Sequence, residues 1–225
     1  MNDNYSAYLQ DAYAARPASY YLGFVKTPVE SGQSVLDWGC GLGGLLLALE
    51  EHCPGLKLSG ADVLDDTLAR IRKAKPNWDL RKIDVSASQL PWEANSFDRI
   101  FLLDVIEHVP DPLALLAEAR RLLKTGGILT ISTPDRLAFY KKPGKGPVGN
   151  IGFNLRRIFG LEWVDPTHLT EYTTWSLSRL LSRSTFGVSG FRPSAWHWIP
   201  WARPPKRHFS FVVELWNEPE SKHEY

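Results

Sequence analysis

The stretch Val35–Gly44, with the sequence VLDWGCGLGG, decides how this chain folds. Its first half is a short apolar run, which is typical of a parallel strand buried on both faces. Glycines follow at positions 39, 41 and 43, where they adopt positive φ easily and let a ligand approach the backbone closely. Leu42–His52 is then predicted to form a helix. Its first N–H groups face the turn and favour a nucleotide-like ligand.

Acidic residues follow the first three predicted strands. Asp37 ends the first strand, where a carboxylate attracts a cation. Asp62 follows a second strand at Leu56–Gly60, about 20 residues beyond the glycine turn, at a position suited to binding ribose hydroxyls. Asp84 lies in a third strand at Lys82–Val85 and can accept a hydrogen bond from an adenine amino group. NAD would satisfy the first two features, and a strand–turn–helix also occurs without a ligand.

A P-loop is excluded, since no Gly-Lys-Ser/Thr follows the turn. The run from Lys82 to Pro134 helps to decide which nucleotide-like ligand the turn binds. It predicts, in order, a turn-rich segment (Leu90–Asp98), a fourth strand (Arg99–Leu103), a corner and helix (Asp104–Leu123), a stop at Lys124–Gly127 and a fifth strand (Ile128–Thr133).

These segments resemble the class I S-adenosylmethionine (SAM)-dependent methyltransferases, in their small-molecule branch. The shared motifs are Asp-x-Gly-x-Gly at 37–41, Leu-Pro-x-x-x-x-Ser-Phe-Asp at 90–98, Glu-His-Val at 107–109 and Lys-x-Gly-Gly at 124–127. The resemblance runs from Val35 to Pro134 and resumes around His168. It implies a Rossmann-like, doubly wound α/β fold. The expected sheet is mostly parallel and seven-stranded, with an antiparallel edge strand and helices on both faces.

SAM is the cofactor that this resemblance implies. Asp37, Gly39 and Gly41 would surround its methionine part, Asp62 its ribose, and Asp84 with Val85 its adenine. Asp104 would lie at the rim of strand four near the sulfonium. Cys40 and Val63 complete the expected cofactor site.

Three residues are candidates for the catalytic step, namely His108, Asp104 and His168. His108 follows the carboxyl end of strand four, where ligands bind in open α/β sheets, and a pKa near ~6.5 suits a base at neutral pH. The structural alternative is that His108 caps the turn or the helix that starts at Pro110.

A metal hypothesis concerns the same corner of the sheet. Asp104, Glu107, His108 and His168 supply two carboxylates and two imidazoles, a set that suits a divalent cation. The pattern is similar to that of small-RNA 2′-O-methyltransferases, which carry Glu-x-x-Glu-His and a later His. Quinone-precursor O-methyltransferases share a run like Glu107–Pro112. Asp104 stands where the RNA enzymes have their first Glu and shortens its reach, so the predicted site includes no metal.

The 225 residues are predicted to form a single methyltransferase domain. Its parts are an N-terminal helical cap (1–33), a SAM-binding core (34–134), a substrate lid insertion (135–170) and a C-terminal helix with strands (171–225). The last part holds a predicted helix at Thr174–Ser184 and strands near Val188–Arg192 and Arg207–Leu215. Only two cysteines are present, which favours a reducing, cytoplasmic setting.

The expected function is O-methylation of a small, partly apolar or aromatic metabolite. The alternatives are an RNA 2′-O-methyltransferase with a divalent metal and a catalytically silent SAM-binding partner protein. A formal net charge of +1 argues against nucleic acid as partner. Residues 151–163 have an amphipathic helical spacing beside a lysine-rich loop. This helix could cap a substrate, contact a membrane surface or form a homodimer, or simply pack on the core.

Overall fold

The computed structural model describes residues 16–84, 89–137, 147–162, 165, 167–186 and 210–218. Six strands within these ranges form one sheet in the order β3-β2-β1-β4-β5-β6. The strands are β1 (Ser34–Trp38), β2 (Lys57–Asp62), β3 (Asp79–Lys82), β4 (Phe97–Leu103), β5 (Leu123–Pro134) and β6 (Ser210–Trp216). All neighbours pair in parallel except β6, which runs antiparallel to β5.

Six α-helices and one 3₁₀ turn connect the strands in the described ranges. The helices are α1 (Ala18–Leu22), α2 (Gly44–His52), α3 (Asp65–Ala74), α4 (Pro112–Leu122), α5 (Pro147–Ile158) and α6 (Thr174–Arg183). The 3₁₀ turn is Ile106–His108. The chain winds outward in opposite directions from β1 and β4, so a crevice opens at their carboxyl ends, where α/β proteins bind ligands.

Both faces of the sheet are covered, because successive strand residues point to opposite sides. In β1, Val35 packs with the helices α1, α2 and α3, whereas Leu36 packs with α4 and α6. In β4, Ile100 packs on the same face as Leu36, and Phe101 packs on the same face as Val35. The fold is therefore Rossmann-like, with helices on both faces and an antiparallel edge strand, as expected.

Six of the seven expected strands are found in the part of the chain that the structure describes, and the seventh is not confirmed. The predicted strand near Val188–Arg192 lies outside the described residues, and the last predicted strand is β6 at Ser210–Trp216. The predicted helix at Thr174–Ser184 is confirmed as α6. It begins with a capping box in which Thr173 accepts from the N–H of Ser176.

Three other boundaries differ from the prediction. The third strand ends at Lys82 rather than continuing to Val85, because its pairing with β2 stops where β2 ends at Asp62. Strand β5 begins at Leu123, so the Lys-x-Gly-Gly segment belongs to the strand. The insertion helix spans Pro147–Ile158 instead of 151–163 and is followed by Gly160 at a φ of 72°.

A buried charged pair joins the N-terminal segment to the middle of the sheet. Arg99 of β4 lies 3.6 Å from Glu214 of β6, and both side chains are almost completely buried. Glu214 also accepts hydrogen bonds from the backbone N–H groups of Lys26 and Thr27 and from the hydroxyl of Thr27. Glu214 therefore fixes residues 26–27, which precede β1, onto the antiparallel edge.

We expect Glu214→Gln to lower the free energy of unfolding by about 3 kcal/mol, because it leaves the buried guanidinium of Arg99 without its counter-charge. Denaturant unfolding measures the change. The matched control is Asp65→Asn, which removes an exposed ion pair with Arg72 and should cost about 0–1 kcal/mol. Equal effects of the two substitutions would show that the buried pair does not hold the edge strand.

Candidate active site

The glycine turn after β1 is held tightly against the end of β2. The N–H groups of Gly39 and Cys40 both donate to the carbonyl of Ala61, at 2.8 and 3.0 Å. Gly39 has a φ of 90°, and a Cβ added there would lie 2.5 Å from a methyl group of Val105. Only glycine therefore fits between β1 and the corner that follows β4.

Asp62 stabilises the same turn from the neighbouring strand. Its carboxylate accepts from the N–H of Gly41 at 2.8 Å and from the N–H of Leu64 at 2.9 Å. The side chain is buried, and burial raises its pKa while these backbone hydrogen bonds lower it. Each oxygen keeps further lone pairs, so Asp62 can brace the turn and still accept from a ligand hydroxyl.

Asp37 lies beneath the turn, at the carboxyl half of β1. It is fully enclosed, and burial together with the nearby Asp62 raises its pKa to about 8. A carboxyl group in this state is neutral at pH 7 without a ligand. A cation brought into the site would favour its ionised form.

Asp104 and helix α1 border the crevice from two sides. Asp104 adopts a left-handed backbone with a φ of 54°, and its carboxylate accepts from the hydroxyl of Ser132 at 3.0 Å. Burial and the charge of Asp104 raise the pKa of Tyr20. The ring of Tyr21 packs so closely on Gly44 that a Cβ there would lie 2.3 Å from it. The N-terminal helix thus covers the start of α2.

The remaining residues of the expected cofactor set lie at the edge of this crevice or beyond the described ranges. Cys40 is buried in the turn, and burial raises the pKa of its thiol. Val63 follows β2 and is partly exposed, and Asp84 is exposed two residues after β3. Val85 lies outside the described residues.

A second group of side chains converges at the corner after β4. Glu107, His108 and His168 each offer a ligand atom, and these atoms all lie within 4.8 Å of one another. The imidazole rings of His108 and His168 meet edge to face, with centroids 4.8 Å apart. Asp104, the fourth member of the speculative metal set, is not part of this convergence.

The backbone brings His168 to this corner. The carbonyl of Glu107 accepts from the N–H groups of both Leu169 and Thr170, at 2.8 and 3.1 Å. Residues more than 60 positions apart in the sequence are thereby joined into one site. The Nδ1 of His108 lies 3.3 Å from both the carbonyl and the hydroxyl of Thr167, and that hydroxyl itself donates to Asp165. Nδ1 is therefore placed to donate, and Nε2 is left as an acceptor or ligand.

Only one of the two carboxyl oxygens of Glu107 has a hydrogen-bond partner among the described residues. Its Oε2 accepts from the hydroxyl of Thr133 at 3.0 Å, whereas Oε1 is buried and has no hydrogen-bond partner among the described residues. Burial and the charge of Asp104 raise the pKa of Glu107. Burial and the neighbouring His168 lower the pKa of His108. The site therefore combines a buried, half-satisfied carboxyl group of raised pKa with an imidazole of lowered pKa.

Sequence analysis missed the charged pair that supports His168. Glu171 accepts from Nδ1 of His168 at 3.3 Å through one oxygen and pairs with Arg157 at 3.1 Å through the other. Arg157 and Glu171 are both completely buried, and Arg157 comes from the insertion helix α5. The only sequence signal was an Arg on the polar side of an amphipathic helix, which ordinarily indicates a solvated face.

The raised pKa of Asp37 predicts a pH-dependent stability. The folded state keeps its proton up to about pH 8, whereas the unfolded chain releases it near pH 4. The stabilisation is complete at low pH and is lost as the pH rises from about 4 towards 8. Asp37→Asn cannot ionise, so its stability relative to the natural chain should increase over that interval. If the difference in the free energy of unfolding between Asp37→Asn and the natural chain is the same at both ends of the interval, Asp37 is not a buried neutral carboxyl.

Comparisons with known proteins agree with this geometry. Residues 36–131 match the family model described as "Methyltransferase domain". A ubiquinone biosynthesis O-methyltransferase of Dinoroseobacter shibae is 37% identical over 107 residues, covering 47% of this chain and 42% of that protein. A probable S-adenosylmethionine-dependent methyltransferase of Mycolicibacterium smegmatis is 28% identical over 185 residues, covering 82% of this chain and 63% of that protein.

The chain thus spans about half the length of the curated relatives it matches. Its fold is similar to a solved SAM-dependent methyltransferase from Aquifex aeolicus, with a TM-score of 0.57 and 18% identity. That similarity covers 93% of this chain and 97% of the other. Residues 36–131 thus match a methyltransferase domain, and the motifs, the sheet order and these similarities support a class I SAM-dependent methyltransferase.

Proposed function

We propose that this chain transfers the methyl group of SAM to an oxygen of a small, partly apolar or aromatic metabolite. The observation that carries the proposal is the convergence of Glu107, His108 and His168 beside the glycine turn. The partial similarity to proteins named ubiquinone biosynthesis O-methyltransferase supports an oxygen acceptor. The crevice between β1 and β4 would hold SAM and the acceptor together.

The cofactor half of the site follows from the residues around the turn. The turn is rigid because Ala61 and Asp62 bind its N–H groups. Asp37 would ionise opposite the cationic methionine end of SAM, and Asp62 would accept from the ribose hydroxyls. Asp84 and Val63 would border the adenine side. Tyr20 and Tyr21 on α1 would keep water away from the sulfonium, whose methyl group needs chiefly an aligned, in-line nucleophile.

The acceptor half fits a divalent cation. The orphaned Oε1 of Glu107 and the Nε2 atoms of two imidazoles form a ligand set of one carboxylate and two histidines. Glu171 orients His168 through its other ring nitrogen, as carboxylates commonly do for metal-binding histidines. A bound cation would lower the pKa of an acceptor hydroxyl. In this proposal His108 is a ligand, and the base assigned to it from sequence is unnecessary.

An RNA 2′-O-methyltransferase is the second candidate, because a cluster of one glutamate and two histidines suits RNA 2′-O-methylation as well as small-molecule O-methylation. The two differ in what occupies the acceptor side. Incubation with methyl-labelled SAM, separately with catechol-like phenols and with short RNAs, decides between them. We expect label on the phenol oxygen. Label on RNA would favour the second candidate, and SAM binding without transfer to any acceptor would favour a silent SAM-binding protein.

Asp62→Ala should weaken SAM binding by at least about tenfold, since it removes both the ribose acceptor and the brace of the glycine turn. Isothermal titration calorimetry with SAM measures the loss, and circular dichroism checks that the fold is kept. The control is Asp66→Asn in the exposed first turn of α3, which should bind SAM normally. Unchanged affinity in Asp62→Ala would contradict the placement of the cofactor.

Chelation should abolish methyl transfer, and added Mg²⁺ or Zn²⁺ should restore it. Mn²⁺ binding, measured by titration calorimetry without SAM, should occur at about one site and disappear in Glu107→Gln and His168→Gln. The control is His52→Gln, which changes an exposed histidine on α2. Full activity of EDTA-treated protein with no bound Mn²⁺ would exclude the cation and return His108 to the role of base.

A further inference from the structure

Helix α5 is amphipathic in the reverse sense to an ordinary surface helix. Its buried side contains Asn150, Phe153, Asn154 and Arg157, three of which are polar. Its outer side carries an apolar stripe, continued by Phe159 and Leu161 just after the helix, that we call the α5 face. The exposed side chains of the α5 face, with their exposed fractions, are Val148 (83%), Ile151 (52%), Leu155 (50%), Ile158 (43%), Phe159 (73%) and Leu161 (72%).

The protein holds this orientation firmly. Arg157 is completely buried and pairs with Glu171, which contacts His168 in turn. Asn154 donates to the carbonyl of Asn150 and accepts from Arg157. Rotating the helix to bury the α5 face would break this buried ion pair and leave both charges without a partner. The apolar stripe is therefore a stable outer surface of the folded chain.

The sequence around the α5 face is basic. Residues 136–161 contain no aspartate or glutamate, and three lysines precede α5 in the sequence, namely Lys141, Lys142 and Lys145. The two arginines of α5 add little to this charge, because Arg156 pairs with Glu162 and Arg157 is buried against Glu171. A second copy of the chain, related by a twofold axis, would bring this positive region against itself, so a symmetric dimer is disfavoured. An apolar stripe within a basic region matches an anionic lipid surface, where the side chains enter the headgroup boundary.

We propose that the α5 face docks the protein on the surface of an anionic membrane. No helix of the described ranges is long and apolar enough to cross a bilayer, so the contact is peripheral. The twelve-residue helix is about 18 Å long and would lie in the plane of the interface. Because Arg157 connects α5 to Glu171, docking would hold the candidate active site close to the lipid surface. The inference does not depend on the identity of the methyl acceptor.

Vesicle co-sedimentation with the whole chain tests this proposal. Phosphatidylcholine vesicles with about 30% phosphatidylglycerol should bind the protein, whereas pure phosphatidylcholine should bind it weakly. Binding should fall in about 1 M NaCl, where the Debye length is about 3 Å. The double variant Ile151→Asp, Leu155→Asp should bind at least about tenfold more weakly, because both positions are exposed and the substitutions keep the fold.

The matched control is Leu47→Asp, an exposed leucine on α2 that should leave vesicle binding unchanged. Failure of the natural chain to sediment with anionic vesicles would overturn the proposal. So would equal sedimentation of the double variant. If the natural chain is instead a dimer by sedimentation velocity and the double variant a monomer, the α5 face binds a second copy. SAM binding is measured in the same samples. A chain that binds SAM but not vesicles contradicts only the membrane proposal, whereas a chain that binds vesicles but not SAM contradicts only the proposed function.

Discussion

The parallel pairing of β1 with β4 is the constraint on which the site depends. These two strands lead to helices that leave in opposite directions, so their carboxyl ends face a crevice rather than a packed helix. The glycine turn follows one of them, and the corner with Glu107 and His108 follows the other. Gly39 meets Val105 across this gap, where no side chain larger than hydrogen fits. The two halves of the site are thus placed by backbone geometry.

Two buried ion pairs attach segments outside the sheet to the rest of the fold. Glu214 and Arg99 attach residues 26–27 to the sheet, and Arg157 and Glu171 attach the insertion helix. Buried ion pairs contribute little net stability compared with apolar packing, but they tolerate only one arrangement. This explains how α5 keeps an apolar outer face while His168 remains beside His108.

The sequence predicted those parts of the fold that depend on local signals. The glycine turn and the order of strands and helices followed from glycine positions and apolar runs. The ends of β3 and β5 were not predicted correctly, because they are set by pairing with neighbouring strands. The grouping of Glu107 with His108 is local, but their contact with His168 depends on hydrogen bonds across about 60 residues. Arg157 and Glu171 gave no local sign of being buried together.

The central claim is that the glycine turn and the Glu107–His108–His168 corner serve one reaction. The most direct measurement uses SAM with a ¹³C-labelled methyl group and Mn²⁺ added to the natural chain. Paramagnetic Mn²⁺ at the corner should broaden the methyl resonance of bound SAM strongly, and diamagnetic Mg²⁺ should not. An unbroadened resonance with both SAM and Mn²⁺ bound would mean that the cation lies elsewhere, and the account of a shared site would be wrong.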